Sequence, residues 1–219
     1  MRRILALLPL VALLAACGPM IPQASRQSVR QSTATFTPRP EARQCLAGLG
    51  ATRASFTPLP DQYFGAGCAT LNTVRLSSLQ GDRAEFALTN LGPVACPLAS
   101  AFADWARYGV DRAARQVMGS PLVRIETMGS YNCRNVAGSA RRSAHATANA
   151  IDIAGFVLAD GQRVSVLGDW SDGTAAQREF LRTVHASACK RFGVVLGPAY
   201  NAAHRNHLHV ELNGSGFCR

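Results

Sequence analysis

Ser143-Ala144-His145-Ala146-Thr147-Ala148-Asn149-Ala150-Ile151-Asp152-Ile153 is the stretch on which the fold turns. Side chains alternate along a strand, so His145 and Asp152, seven positions apart, would face opposite ways on one straight strand. They share a site only if the chain bends between them, and Ala148-Asn149 is the place for that bend. The segment therefore reads as a loop carrying His145, followed by a strand over residues 150–158 on which Asp152 faces away from Ile151 and Ile153. Ala159-Asp160-Gly161-Gln162 then supplies a hairpin turn into a second strand over residues 163–167.

Outward from this hairpin, residues 72–79, 84–89 and 122–127 read as strands. Residues 97–118 open with a proline and place Phe102, Trp105, Ala106 and Val110 at helical spacing, which predicts one helix with a break at Gly109. Residues 174–192 form the clearest helix: Phe180, Leu181, Val184, Ala188 and Phe192 make its apolar stripe and Gly193 stops it. A last strand runs over residues 207–212. Hairpins mixed with long helices point to an α+β domain, a small antiparallel sheet with flanking helices.

Three of the five histidines fall in six residues, His204-Arg205-Asn206-His207-Leu208-His209. With a side-chain period of two, His207 and His209 point to the same face of the last strand. Two imidazoles and one carboxylate from separate segments are the donor set of a zinc site, which binds them at about 2.0–2.2 Å and, when catalytic, keeps one position open. A further histidine is left for acid–base work. His185, on the 174–192 helix beside Val184, reads as an ordinary helical histidine, and Trp170 of Asp169-Trp170 as a buried core residue.

At the other end, Met1-Arg2-Arg3 and the apolar run over residues 4–16 read as a secretory signal, too short for a membrane span. The run ends in Leu14-Ala15-Ala16-Cys17-Gly18, which resembles a bacterial lipobox. The expectation is cleavage after residue 16 and lipidation of Cys17, with Gly18 favouring the periplasmic side of the outer membrane. Each buried CH₂ contributes about 0.8 kcal/mol, so several acyl chains anchor firmly. Residues 17–44, rich in Pro, Ser, Thr, Gln and Arg without apolar periodicity, read as a flexible tether, and residues 45–219 as one domain. Loss of Arg2 and Arg3 with the signal takes the formal charge from +10 to +8. A basic exported chain is attracted to anionic glycan strands or lipid headgroups. The export signal and the lack of any reader motif argue against nucleic acid, and nothing bears on oligomeric state.

Six cysteines follow Cys17: Cys45, Cys68, Cys96, Cys133, Cys189 and Cys218. An even number in an exported chain, with no C-x-x-C pair, argues for three disulfides rather than a thiolate metal site. About fifteen pairings are possible; the expectation is the sequential one, Cys45–Cys68, Cys96–Cys133 and Cys189–Cys218.

Ser143-x-His145-x-x-Ala148-x-Ala150-x-Asp152 with a distal His-x-His resembles the zinc site of the lysostaphin and D-Ala-D-Ala metallopeptidase superfamily. The spacing His204-x-x-His207-x-His209 is similar to that of penicillin-insensitive murein endopeptidases. Across about four fifths of the chain the sequence resembles the bacterial extensin-like C-terminal domain family. That resemblance rests on Gly129-Ser130-Tyr131-Asn132-Cys133-Arg134, the His145–Asp152 block with Ala154-Gly155-Phe156, Asp169-Trp170, the helix with His185 and Cys189, and Gly197-Pro198-Ala199-Tyr200-Asn201. It implies a disulfide-stabilised D-Ala-D-Ala metallopeptidase-like fold with zinc on His145, Asp152 and His209. It also implies His207 as general base or oxyanion stabiliser, His204 hydrogen-bonding within the site, and Ser143, Arg134 and Tyr131 positioning substrate. Arg suits a carboxylate because it donates two parallel bonds. Two departures stand out: Ala148 replaces the glycine usual at the bend, which strains the chain if that position needs positive φ, and Asn206 replaces the usual Asp.

The function expected from these residues is a lipid-anchored zinc peptidase of endopeptidase or carboxypeptidase type that hydrolyses amide bonds in peptidoglycan. The alternative is a non-catalytic wall-binding or structural lipoprotein on the same fold.

Overall fold

A computed structural model describes residues 39–214 and 216–219. The signal, Cys17 and all but the last residues of the expected tether lie outside the described residues. The chain begins with helix α1 (Pro40–Ala51), then strands β1 (Ser55–Pro58), β2 (Gln62–Gly65), β3 (Cys68–Thr70), β4 (Thr73–Gln80), β5 (Glu85–Thr89) and β6 (Pro93–Ala95). Helix α2 (Cys96–Trp105) runs through a π-helical segment (Ala106–Asp111) into α3 (Arg112–Val117). Strand β7 (Leu122–Gly129), a three-ten turn (Ala144–Thr147), β8 (Ala150–Leu158), β9 (Arg163–Ser165) and α4 (Val166–Asp169) follow. Helix α5 (Ala175–Cys189), β10 (Val194–Leu196), a three-ten turn (Ala202–His204), β11 (Leu208–Glu211) and β12 (Phe217–Cys218) complete it. Among the described residues no helix is long and apolar enough to cross a membrane.

The α+β class holds, but the sheet is neither small nor purely antiparallel. Ten strands join it in the order β1-β4-β5-β7-β8-β11-β10-β12, with β6 on β4 and β9 on β8. Two pairs, β5–β7 and β10–β12, are parallel. Parallel neighbours need a crossover of a dozen or more residues, and the α2–π–α3 helix supplies it between β5 and β7.

One face of this sheet is the core. On β8, Ile151, Ile153 and Phe156 are fully buried while Asp152 and Ala154 face the other way, half-buried. Phe156 packs edge-on against Phe180 of α5, ring centroids 5.3 Å apart, and the indole of Trp105 donates to the Val184 carbonyl at 3.3 Å. The Thr174 and Gln177 side chains close a capping box that starts α5. The helix expected over 97–118 is not broken at Gly109. It widens there into a π turn, and the missing side chain lets α5 approach: a Cβ on Gly109 would lie 2.3 Å from the Ser187 hydroxyl and 2.9 Å from the buried Trp105 ring.

Two of the three expected disulfides pair otherwise. Cys45 bonds Cys96 and Cys68 bonds Cys133; only Cys189–Cys218 is as expected. Sequential pairing assumes that neighbouring cysteines fold together, whereas α1 packs on α2 and β3 sits beside the His145 turn. Helix α1 also begins inside the expected tether, at Pro40, with Leu49 fully buried.

Gly109→Ala is expected to cost about 1–3 kcal/mol by overpacking the α5 contact. Thermal unfolding followed by circular dichroism measures it, and an unchanged melting temperature would contradict the close-approach reading.

Candidate metal centre

The Ser143 hydroxyl caps the three-ten turn by accepting from the His145 amide at 3.4 Å. Ala148 closes the turn in the left-handed region at φ 55° and is fully buried. The bend therefore does require positive φ, a conformation that costs alanine more than glycine. The Ala148 carbonyl accepts from Ala95 N at 2.9 Å and from the Ser130 hydroxyl at 3.4 Å, which holds it in place. Strand β8 starts two residues later, and the β8–β11 register sets Asp152 directly opposite His209.

His145, Asp152 and His209 meet, each offering a donor atom within 4.8 Å of the others. His145 Nε2 lies 3.2 Å from His209 Nδ1 and 3.2 Å from Asp152 Oδ2, and His209 Nδ1 lies 2.8 Å from Asp152 Oδ1. Tetrahedral coordination at about 2.0–2.2 Å would place donors about 3.3–3.6 Å apart, so the two 3.2 Å separations are close to that geometry and the 2.8 Å one would have to open by about half an ångström. The outer hydrogen bonds set the tautomers. His145 Nδ1 donates to the Ser130 carbonyl in a short bond, and His209 Nε2 donates to Glu211 Oε1 at 2.8 Å. With both rings neutral, the inner nitrogens present lone pairs toward a carboxylate, a set of acceptors with no donor, which calls for a cation, either a metal ion or a proton.

Electrostatics agree. Burial opposes ionisation of Asp152, but hydrogen bonds from His145 and His209 outweigh it and hold the carboxyl well below the usual range. Burial likewise opposes protonation of His209, but hydrogen bonds to Asp152 and Glu211 lift its pKa to about 9. Without metal, a proton on His209 serves as the cation.

His207 and His204 stand beside the triad. His207 Nδ1 donates to Asn206 Oδ1 at 2.8 Å, leaving the Nε2 lone pair 3.5 Å from Asp152 Oδ1. Burial is the main cause that lowers its pKa. His204 sits in a turn capped by Asn201, to which its Nδ1 donates at 2.7 Å. Burial first, then the charges of His207 and His209, push it down to about 4. Both lowered pKa values leave the rings neutral at pH 7, and Asn206 orients His207 without adding a charge.

A cleft of about 510 Å³ opens over β10 and β11, lined among others by Arg134, Ser143, Tyr200, His204, His207 and Phe217. Arg134 is thus brought to the cleft wall. Ser143 reaches the cleft, but its hydroxyl serves the turn. Tyr131 does not line the cleft; its ring packs on Phe64 of β2 at 5.2 Å. His185 lies apart, packed on Trp170 and bonded to the Arg219 carbonyl at 3.3 Å. It is near Cys189 and Cys218, but those sulfurs are joined to each other.

Glu211 was not among the residues singled out from sequence, although His207, His209 and Glu211 alternate on one strand face and a period-two reading points to it. The Ser130 carbonyl carries no sequence signal, because any residue supplies one.

Because a metal must displace the His209 proton, affinity for a divalent cation is expected to rise about tenfold per pH unit from pH 6 toward 9. Titration calorimetry in buffers of different ionisation enthalpy should show one proton released at pH 7; a pH-independent affinity would contradict this. Glu211→Ala should weaken binding about 10–100-fold.

Comparison with curated proteins and with solved structures finds no match. The family model described as extensin-like protein C-terminus matches residues 43–219, which span both donor segments and all three disulfides, and the chain belongs to that family.

Proposed function

We propose that this protein is a zinc-dependent hydrolase of amide bonds in peptidoglycan, exported and held at the envelope membrane through a lipidated Cys17. The observation that carries the reading is the inward-facing triad His145, Asp152 and His209, with both histidine tautomers set from outside. A second support is the resemblance of these spacings to the lysostaphin and D-Ala-D-Ala metallopeptidase superfamily. The basic charge and the lipobox-like Cys17 support the reading, because an anchored basic chain would have an anionic wall polymer within reach.

His145, Asp152 and His209 would hold zinc, which when bound would supply Lewis acidity for an amide carbonyl and for water, whose pKa such an ion can lower from about 15.7 to about 7. The chain's own residues do the rest. His207, neutral and oriented by Asn206, takes a proton from the attacking water at Nε2 and returns it to the departing amine. His204, held by Asn201, adds a neutral polar wall without competing for that proton. Arg134, which pairs with no acidic side chain among the described residues, is free to receive a substrate carboxylate through two parallel bonds. Glu211 keeps His209 in the tautomer that the triad requires.

Purified peptidoglycan incubated with the zinc-loaded protein is expected to yield new muropeptide ends, abolished by chelator and by His209→Ala. His207→Ala should keep the metal and lose about 10²–10⁴ in rate. Equal digestion by wild type and His209→Ala would contradict the proposal. Pelleting with the wall while muropeptides stay unchanged would favour a non-catalytic wall-binding lipoprotein.

A further inference from the structure

His185, Cys189 and Cys218 form a second cluster of donor atoms, built on α5 and β12 and sharing no residue with the triad. His185 and Cys189 are four apart, so they stand one turn apart on the same face of α5. Strand β12 brings Cys218 to them through its parallel pairing with β10. The imidazole nitrogen and the two sulfurs all lie within 4.8 Å of one another, and His185 Nδ1 is 3.9 Å from Cys189 Sγ. A tetrahedral zinc with nitrogen at about 2.0–2.1 Å and sulfur at about 2.3 Å sets those two atoms about 3.6 Å apart.

The ring is held in the tautomer that such an ion needs. Its Nε2 donates to the Arg219 carbonyl at 3.3 Å, and that carbonyl also accepts from the Gly197 amide at 2.8 Å. The Nδ1 lone pair is thereby left facing Cys189. Trp170 packs edge-on against the ring at 5.6 Å, and burial lowers its pKa, so it is neutral at pH 7. While the bridge is closed, the sulfurs are joined and the cluster offers one good donor. Of the three bridges, this one alone leaves both of its cysteines partly exposed, since Cys96 and Cys68 are buried in the other two. Thiol–disulfide exchange requires access to a sulfur, and here either sulfur can be attacked without freeing a thiol inside the core. With 5.7 Å between their Cα atoms, the freed side chains can turn until the sulfurs stand about 3.8 Å apart, the spacing of two thiolates on one zinc.

We propose that this cluster is a second metal site, selected by redox state: opened to its dithiol form, the Cys189–Cys218 pair binds a zinc ion together with His185 Nδ1 and leaves the fourth position open. A reduced dithiol gives two electrons and two protons to the bridge and departs as a disulfide. Zinc then displaces the two thiol protons, which are released. Arg182, stacked on Trp170 at 4.1 Å, disfavours a bare cation, but a divalent ion with two thiolates is neutral. The ion takes over the mechanical role of the bridge, tying β12, whose Phe217 lines the cleft, to the end of α5. This site stands independently of what the triad does.

The probe is cobalt(II), which reports thiolate ligation by a charge-transfer band in the near ultraviolet, added to the full chain carrying Asp152→Ala so that the triad is silent. After reduction with a water-soluble phosphine, which has no thiolate to compete for the ion, the chain is expected to take up about one cobalt with that band, displaced by zinc. The oxidised chain should show no band. Cys218→Ser should abolish it. Loss of an outer-shell partner already costs about 10–100-fold, so His185→Gln, which leaves the bridge intact when oxidised, should weaken binding by at least about 100-fold. No band after reduction, or a band unchanged in either variant, would overturn the proposal. So would a reduced chain that loses its near-ultraviolet circular dichroism and does not regain it with metal.

Discussion

Three acceptor atoms meeting at one buried point form the constraint around which the rest of this molecule is organised. His145 Nε2 and His209 Nδ1 lie 3.2 Å apart, and each is 2.8–3.2 Å from one of the two carboxylate oxygens of Asp152, while the hydrogen bonds behind the two rings take up their outer nitrogens and leave the inner ones to face the carboxylate. Lone pairs so arranged repel unless a cation sits among them. A divalent metal ion would meet that need, and a proton on His209 would meet it without one. The outer partners, Ser130 and Glu211, therefore decide what the inner atoms can hold.

The fold can be understood as what brings these atoms together from three places. The β8–β11 register fixes Asp152 against His209, because a slip by one residue would send one of them into the core with Ile151 or Val210. His145 must come from outside the sheet, and a three-ten turn closed by Ala148 at positive φ delivers it. Alanine in that conformation costs about 1–2 kcal/mol, and the buried hydrogen bonds of the Ala148 carbonyl offset it. The Cys68–Cys133 disulfide ties the loop ahead of the turn to the β2–β3 hairpin, so the one ligand that lies off the sheet is braced covalently.

Much of this was legible in the residues. The alternation Ile151-Asp152-Ile153, the Asp160-Gly161 turn and the stripe of α5 carry strong local periodicity, and the structure follows them. The His-x-His face and the bend before Asp152 were readable for the same reason. Elements of two to four residues, such as β6, β10 and β12, are too short to show a period and take their form from neighbouring strands. Helix α1 was hidden among Pro, Arg and Gln because it buries only Ala42 and Leu49. Disulfide pairing and the parallel β5–β7 contact depend on tertiary packing, which no local pattern encodes. Glu211 was within reach of the same period-two argument that linked His207 to His209.

The account stands or falls on whether the triad takes up a metal. The most direct measurement is zinc content and affinity of the purified, oxidised protein beside an Asp152→Ala variant of equal thermal stability. The account predicts about one zinc per wild-type chain and none retained by the variant. Wild-type protein that stays free of zinc after equilibration with the ion, or a variant that binds as well as wild type, would contradict it.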